Sequence, residues 1–233
     1  MKRANILFLT LSVSIISACA NSPPPSIQVT ADKHYGLVGI DISKYQGTVN
    51  FKSVRAAGVR YIFVRATEGN TYQDPDFKSN FASARVNGLA VSAYHFYETN
   101  DAPDTQLENY TSLVSLHPGD LPPVIDIEKL HNQDQSDLTE NLKTFLSGLE
   151  SHYKVKPIIY SGRNFSNAYL TEFGDYPLWL AEYGVDIPRL PTGWNDWTFW
   201  QWSQSSTIKG IDGTVDADRF NGDESQFLDL LIK

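Results

Sequence analysis

Strand and helix patterns alternate along most of this chain, and that alternation limits its fold more than any other feature. Short apolar runs rich in β-branched and aromatic residues occupy residues 38–43, 61–66, 90–97, 124–128, 157–161, 178–182, 198–202 and 215–220. Helical periodicity fills the first five gaps, at 51–57, 77–87, 104–116, 138–153 and 163–170. In the first of these, Val54 and Ala57 share a face and Gly58 stops the helix. Strand–helix–strand order with short connections predicts a parallel α/β sheet covered by helices. Between residues 178 and 220 the runs lie close together, broken by Pro and Gly, with no helical pattern between them. Eight strands with this gradient predict a barrel whose last portion has lost its helices.

The acids fall where such a barrel would use them. The run Pro123-Val124-Ile125-Asp126-Ile127-Glu128 closes an apolar strand with two carboxylates at i and i+2. Alternation puts both on one face, with Cα atoms roughly 6.5 Å apart at about 3.3 Å per residue. Two acids so close cannot both ionise easily, so at least one pKa rises. A protonated carboxyl beside an ionised partner is equipment for cleaving a glycosidic bond. Asp41 lies in the first strand and Asp216 in the last. Charges on strands buried on both sides need a reason. Ion pairs with Lys44, Arg65 or Arg219 would explain any one of these acids, but strain to explain all four.

The N-terminus reads as a processing signal. Met1-Lys2-Arg3 is a basic start, and residues 6–16 form an apolar stretch too short to span a membrane. Ile16-Ser17-Ala18-Cys19 follows, and Cys19 is the single cysteine of the chain. This resembles the lipobox of bacterial lipoproteins, in which cleavage leaves an acylated Cys first. The expected organisation is a signal peptide at 1–18, a Pro/Ser-rich linker at 19–36 that includes Pro23-Pro24-Pro25, and one catalytic barrel at 37–233. The resemblance implies a lipid-anchored envelope protein facing the periplasm or the exterior. An ordinary signal peptide is the alternative. With 19 Lys and Arg against 27 Asp and Glu, the net charge is −8, which disfavours a nucleic-acid partner.

Seven segments carry a family resemblance. They are Gly39-Ile40-Asp41-Ile42-Ser43-Lys44-Tyr45-Gln46-Gly47, Phe63-Val64-Arg65-Ala66-Thr67-Glu68-Gly69, Ala93-Tyr94-His95-Phe96-Tyr97, Asp126-Ile127-Glu128, Leu178-Trp179-Leu180-Ala181-Glu182-Tyr183, Phe199-Trp200-Gln201-Trp202-Ser203 and Val215-Asp216-Ala217-Asp218-Arg219-Phe220. In this order they resemble the motifs of glycoside hydrolase family 25 lysozymes. The resemblance implies a modified TIM-like barrel of eight strands and about five helices. It also implies N-acetylmuramidase activity, cleaving the β-1,4 bond between N-acetylmuramic acid and N-acetylglucosamine in peptidoglycan glycan strands. It makes Glu128 the general acid and Asp126 its partner, with Asp41 and Asp216 as flanking acids. Tyr45, Arg65 and Asp218 stand where Trp, Lys and Asn are common.

Candidate sugar platforms are Tyr94, Tyr160, Trp179, Tyr183, Trp200 and Trp202, with Glu68 and Gln201 as partners for hydroxyls. Trp200 and Trp202 share one face of a strand whose other face holds Phe199 and Gln201, so both sets cannot point inward. His95 reads as a buried, hydrogen-bonded core residue. No metal is expected, because there is no HExxH, cysteine cluster or EF-hand spacing. No cofactor is expected either, and the expected state is a monomer. D-x-E strand ends also serve chitinase-like N-acetylhexosaminidases, and an enzyme fold can serve as a non-catalytic glycan binder, so both alternatives stay open.

Overall fold

A computed structural model of the protein describes residues 36–233. The predicted signal peptide, Cys19 and the Pro-rich segment lie outside the described residues. The strands are β1 (Val38–Ile42), β2 (Tyr61–Glu68), β3 (Tyr72–Gln73), β4 (Ala90–Phe96), β5 (Val124–Asp126), β6 (Ile158–Gly162), β7 (Leu178–Ala181), β8 (Phe199–Ser206) and β9 (Val215–Phe220). The helices are α1 (Phe51–Ala56), α2 (Phe77–Val86), α3 (Pro103–Leu113), α4 (Gln135–Tyr153), α5 (Arg163–Tyr169) and α6 (Glu224–Leu230). Pairing runs β1-β9-β8-β7-β6-β5-β4-β2, and β1 also pairs with β2, so eight strands close a barrel. The two-residue β3 hangs on β2 as a short hairpin partner.

The barrel is not wholly parallel. Strands β1, β2 and β4 to β8 run parallel to one another around the barrel, whereas β9 is antiparallel to both β8 and β1. A parallel return needs a crossover of a dozen residues or more. Only residues 207–214 join β8 to β9, so the chain turns back as a hairpin. The N-terminal end of β9 therefore meets the C-terminal rim of the other strands. This reversal is what brings Asp216 beside Asp41, its register partner.

Alternation along each strand divides the apolar residues into two layers. Ile40, Ile62, Val64, Val91, Ile125, Leu180 and Trp200 face outward, against a helix layer that includes Leu138, Leu142, Phe145, Leu146 and Leu149 of α4. Inside the barrel, Tyr61, Phe63, Trp179, Phe199, Phe220 and Phe227 form an aromatic plug, with Phe63 stacked on Trp179 at 4.1 Å between centroids. Gly39 faces this plug, and a Cβ there would lie 2.0 Å from the Tyr61 ring. The glycine makes room for that ring.

Helix α6 was not anticipated. A capping box between Asp223 and Gln226 starts it, and Phe227 seals the floor of the barrel against Tyr61 and Phe220. Sequence and structure also differ at strand ends. β5 stops at Asp126, and β8 runs on to Ser206 through polar residues that pair with β9.

Candidate active site

The cleft opens at the C-terminal rim of the parallel strands. Its lining includes Asp41, Ser43, Tyr45, Gln46, Arg65, Tyr94, Phe96, Asp126, Glu128, Tyr160, Trp179, Gln201 and Asp216. Asp126 ends β5 with its side chain inside the barrel. Ile127 keeps the backbone in register by donating to the Tyr160 carbonyl at 3.1 Å. Glu128 therefore returns to the same face one step higher, at the exposed rim. The two carboxyls lie close enough for Glu128 to raise the pKa of Asp126.

The protonation pattern follows from burial. Asp126 is pushed well above the usual carboxylate range, first by desolvation and then by the charge and hydrogen bond of Glu128. The Arg65 guanidinium pulls the other way. Asp41 is raised by burial and by Asp216. Asp216 is pushed up to about 6 by burial and by Glu128. The floor acids therefore hold their protons to higher pH than exposed acids would.

Gln201 organises this floor. Its Nε2 donates to Asp41 Oδ2 at 2.8 Å and reaches Asp216 Oδ2 at 3.4 Å. Its Oε1 accepts from the Tyr160 hydroxyl at 2.8 Å and from the Tyr183 hydroxyl. Trp179 Nε1 donates to Asp218 Oδ1 at 2.8 Å, one layer below. Asp218, fully buried and raised in pKa by burial and by Asp41, is a member of the acid cluster that motif reading left aside. Its spacing of two from Asp216 was the available signal.

The other expected residues divide clearly. Tyr94, Tyr160 and Trp179 line the cleft, and Tyr183 joins it through Gln201. Trp200 and Trp202 do not. Gln201 takes the inward face of β8, so both tryptophans pack in the outer layer. There Trp200 Nε1 donates to the Glu182 carbonyl at 2.7 Å, and Arg219 lies over the Trp202 ring. Glu68 is held by Arg65 in an ion pair and is not part of the cleft lining. His95 is fully buried outside the barrel, with Nδ1 2.7 Å from the Thr67 hydroxyl and Nε2 3.0 Å from Gln106 Oε1. Burial lowers its pKa to about 4, so it stays neutral. Among the described residues no group of three or more His, Cys, Asp and Glu is placed to hold a metal ion.

A carboxyl pair at the C-terminal rim of such a barrel, above further buried acids, is the arrangement of a glycoside hydrolase. Comparison with known proteins gives the family: residues 40–211 match the model for glycosyl hydrolases family 25, and the chain belongs to it. It is 32% identical to lysozyme M1 of Streptomyces globisporus over 211 residues, covering 84% of this chain and 71% of that protein. The fold superposes on the bacterial lysozyme of Streptomyces coelicolor with a TM-score of 0.81 at 29% identity, covering 84% of this chain and 97% of that one. A family 25 glycosyl hydrolase from Bacillus anthracis gives a TM-score of 0.80 at 26% identity, covering 91% of this chain and all of the other.

Proposed function

We propose that this enzyme is an N-acetylmuramidase that hydrolyses the β-1,4 bond between N-acetylmuramic acid and N-acetylglucosamine in peptidoglycan. The observation that carries this reading is the Asp126–Glu128 pair at the rim of an acid-floored cleft, in a chain related to lysozymes over most of its length. Glu128, exposed at the rim, is the general acid that protonates the leaving oxygen. Asp126 is its partner, and Asp41 and Asp216 are the flanking acids.

Substrate assistance fits this pair best. Adjacent D-x-E carboxyls acting on an N-acetylated sugar suit attack by the substrate's own acetamido oxygen, and the attack is assigned to it. Asp126 Oδ1 is buried and makes no hydrogen bond, which suits it to accept from the acetamido N–H and steady that group. Tyr94, Tyr160 and Trp179 supply ring faces for the pyranose.

The reading extends to location. Cleavage before Cys19 and its acylation would anchor the enzyme to an envelope membrane, with the Pro-rich segment as spacer. In Cys19→Ser, loss of a fatty-acid label and release of the protein support this. A wild-type protein without an acyl label rejects it. A monomer is the proposed working unit.

Purified peptidoglycan and chitin, each incubated with the enzyme and analysed by mass spectrometry, test the substrate. Muropeptides released from the first, with chitin intact, support the muramidase. Chitin oligomers as the main product favour the chitinase-like reading, and turnover of neither favours a binding module.

A further inference from the structure

Beyond Glu128 the cleft continues into a second depression, lined by Glu128, Gly162, Arg163, Phe165, Glu182 and Arg189 among others. The topology explains the grouping. β6 ends at Gly162 and α5 begins at Arg163, while β7 ends at Ala181 and Glu182 follows. Gly162 and Ala181 are register partners, so Arg163 and Glu182 leave the rim side by side.

The two guanidiniums there are not equally paired with Glu182. Buried Glu182 takes the Arg189 backbone N–H at 2.6 Å and Arg189 Nε at 2.8 Å. Arg163 Nε stands 4.0 Å from Glu182 Oε1, too far for a hydrogen bond. That nitrogen is itself buried and has no hydrogen-bond partner. Two guanidiniums thus share one carboxylate, and its short bonds go to Arg189. A Cβ built at Gly162 would meet nothing within 4 Å, so the space beside Arg163 is open.

A guanidinium with an unused, buried N–H calls for an anionic acceptor. The floor of Asp41, Asp126 and Asp216 offers an anion no counter-charge, so a negatively charged substituent on the substrate finds its partner elsewhere. On the facing wall, Arg65 also has a buried Nε without a partner, but its Nη2 is engaged by Glu68, whereas Arg163 has no such close carboxylate. We propose that this depression is a carboxylate subsite, in which Arg163 pairs with a carboxylate on the muramic-acid side of the substrate. On stem-bearing glycan that carboxylate belongs to the stem peptide, because the lactyl carboxyl is held there in the amide bond to the stem; on glycan stripped of stems the lactyl group itself presents the carboxylate. Arg189 and Glu182 act as positioning residues that hold the pocket wall. The inference rests on the muramidase reading.

Arg163→Gln leaves Glu182 held by Arg189, so the fold should survive, and Arg163→Lys restores the charge. Three substrates separate the possibilities: intact peptidoglycan, peptidoglycan stripped of stems by an amidase, and intact peptidoglycan whose carboxyls are converted to methylamides. We expect Arg163→Gln to lower kcat/KM on intact peptidoglycan by about tenfold or more, chiefly through KM, with partial rescue in Arg163→Lys. Methylamidation should cost the wild type a similar factor and leave Arg163→Gln indifferent. Loss confined to stem-bearing glycan assigns a stem-peptide carboxylate, whereas loss on the stripped glycan as well shows that the subsite also takes the lactyl carboxylate that the amidase exposes. Wild-type activity in Arg163→Gln on intact peptidoglycan, or equal sensitivity of both enzymes to methylamidation, overturns the subsite alone. If the wild type cleaves none of the three, the muramidase reading falls and the subsite with it.

Discussion

Gln201 donates through Nε2 to Asp41 Oδ2 at 2.8 Å, while its carbonyl oxygen accepts from the Tyr160 hydroxyl. One amide therefore ties a floor acid to the aromatic wall, and its orientation is set by partners at both ends. Gln201→Leu leaves buried Asp41 and Tyr160 without those partners. The expected cost is about 2–6 kcal/mol of stability, from two stranded polar groups at about 1–3 kcal/mol each. Urea denaturation measures it, and an unchanged midpoint would remove Gln201 from this role.

Glu128→Gln tests the proposed acid. The amide keeps the shape of an exposed side chain but cannot deliver a proton. Turnover should fall by roughly 10²–10⁴-fold with an unchanged thermal transition. A folded variant with near wild-type kcat would assign the proton to another group.

The buried acids make stability fall with pH. Asp41, Asp126 and Asp218 have folded-state pKa values raised well above 3.8, and Asp216 is raised to about 6. Between the unfolded and folded pKa values, the native state binds more protons than the unfolded state. Stability is therefore greatest below pH 3.8 as far as these groups decide it, and is lost as pH rises through each folded value. Asp218→Asn can keep an acceptor for Trp179 Nε1 and removes one such group. It should raise stability at pH 7.5 by about 1 kcal/mol or more, or about 2–4 °C per kcal/mol, with a smaller gain at pH 4.5. An equal effect at both pH values would contradict a raised Asp218.

Activity should be highest on the acid side and fall as the carboxyl cluster loses protons, with apparent values that belong to the cluster. Asp216 titrates near 6 and disfavours ionisation of its neighbours. Asp216→Asn should therefore move the alkaline limb of kcat/KM to lower pH. A limb that stays in place, or moves up, would exclude this coupling.

Trp200 and Trp202 lie outside the barrel, so their loss should touch stability and not binding. Trp200→Phe forfeits the bond to the Glu182 carbonyl and should cost about 1–3 kcal/mol. KM on peptidoglycan should stay within about twofold for Trp200→Phe and Trp202→Phe, as expected for changes away from the site. A large rise in KM with an intact fold would put these rings back at the sugar.

Much of the barrel was readable because each strand is a separate apolar run and each early helix has its own periodicity. The reversal of β9 was not read, although the short 207–214 connection carried it. Helix α6 was missed because it is only seven residues long, despite its Asp223–Gln226 capping box. Within the site, alternation showed that Gln201 and Trp200 oppose each other but not which one faces in. Barrel closure decided that, by turning Gln201 toward Asp41. Arg163 and Glu182 are nineteen positions apart and meet only through the β6–β7 register, so no local pattern announced their pocket.

The central claim is the bond that is cut. Peptidoglycan digested with the purified enzyme can be reduced with borohydride and its glycan ends identified by mass spectrometry. The account predicts new reducing ends that are N-acetylmuramic acid, recovered as the muramicitol, with none formed by Glu128→Gln. New reducing ends of N-acetylglucosamine, or muramicitol ends still formed at the wild-type rate by Glu128→Gln, would contradict it.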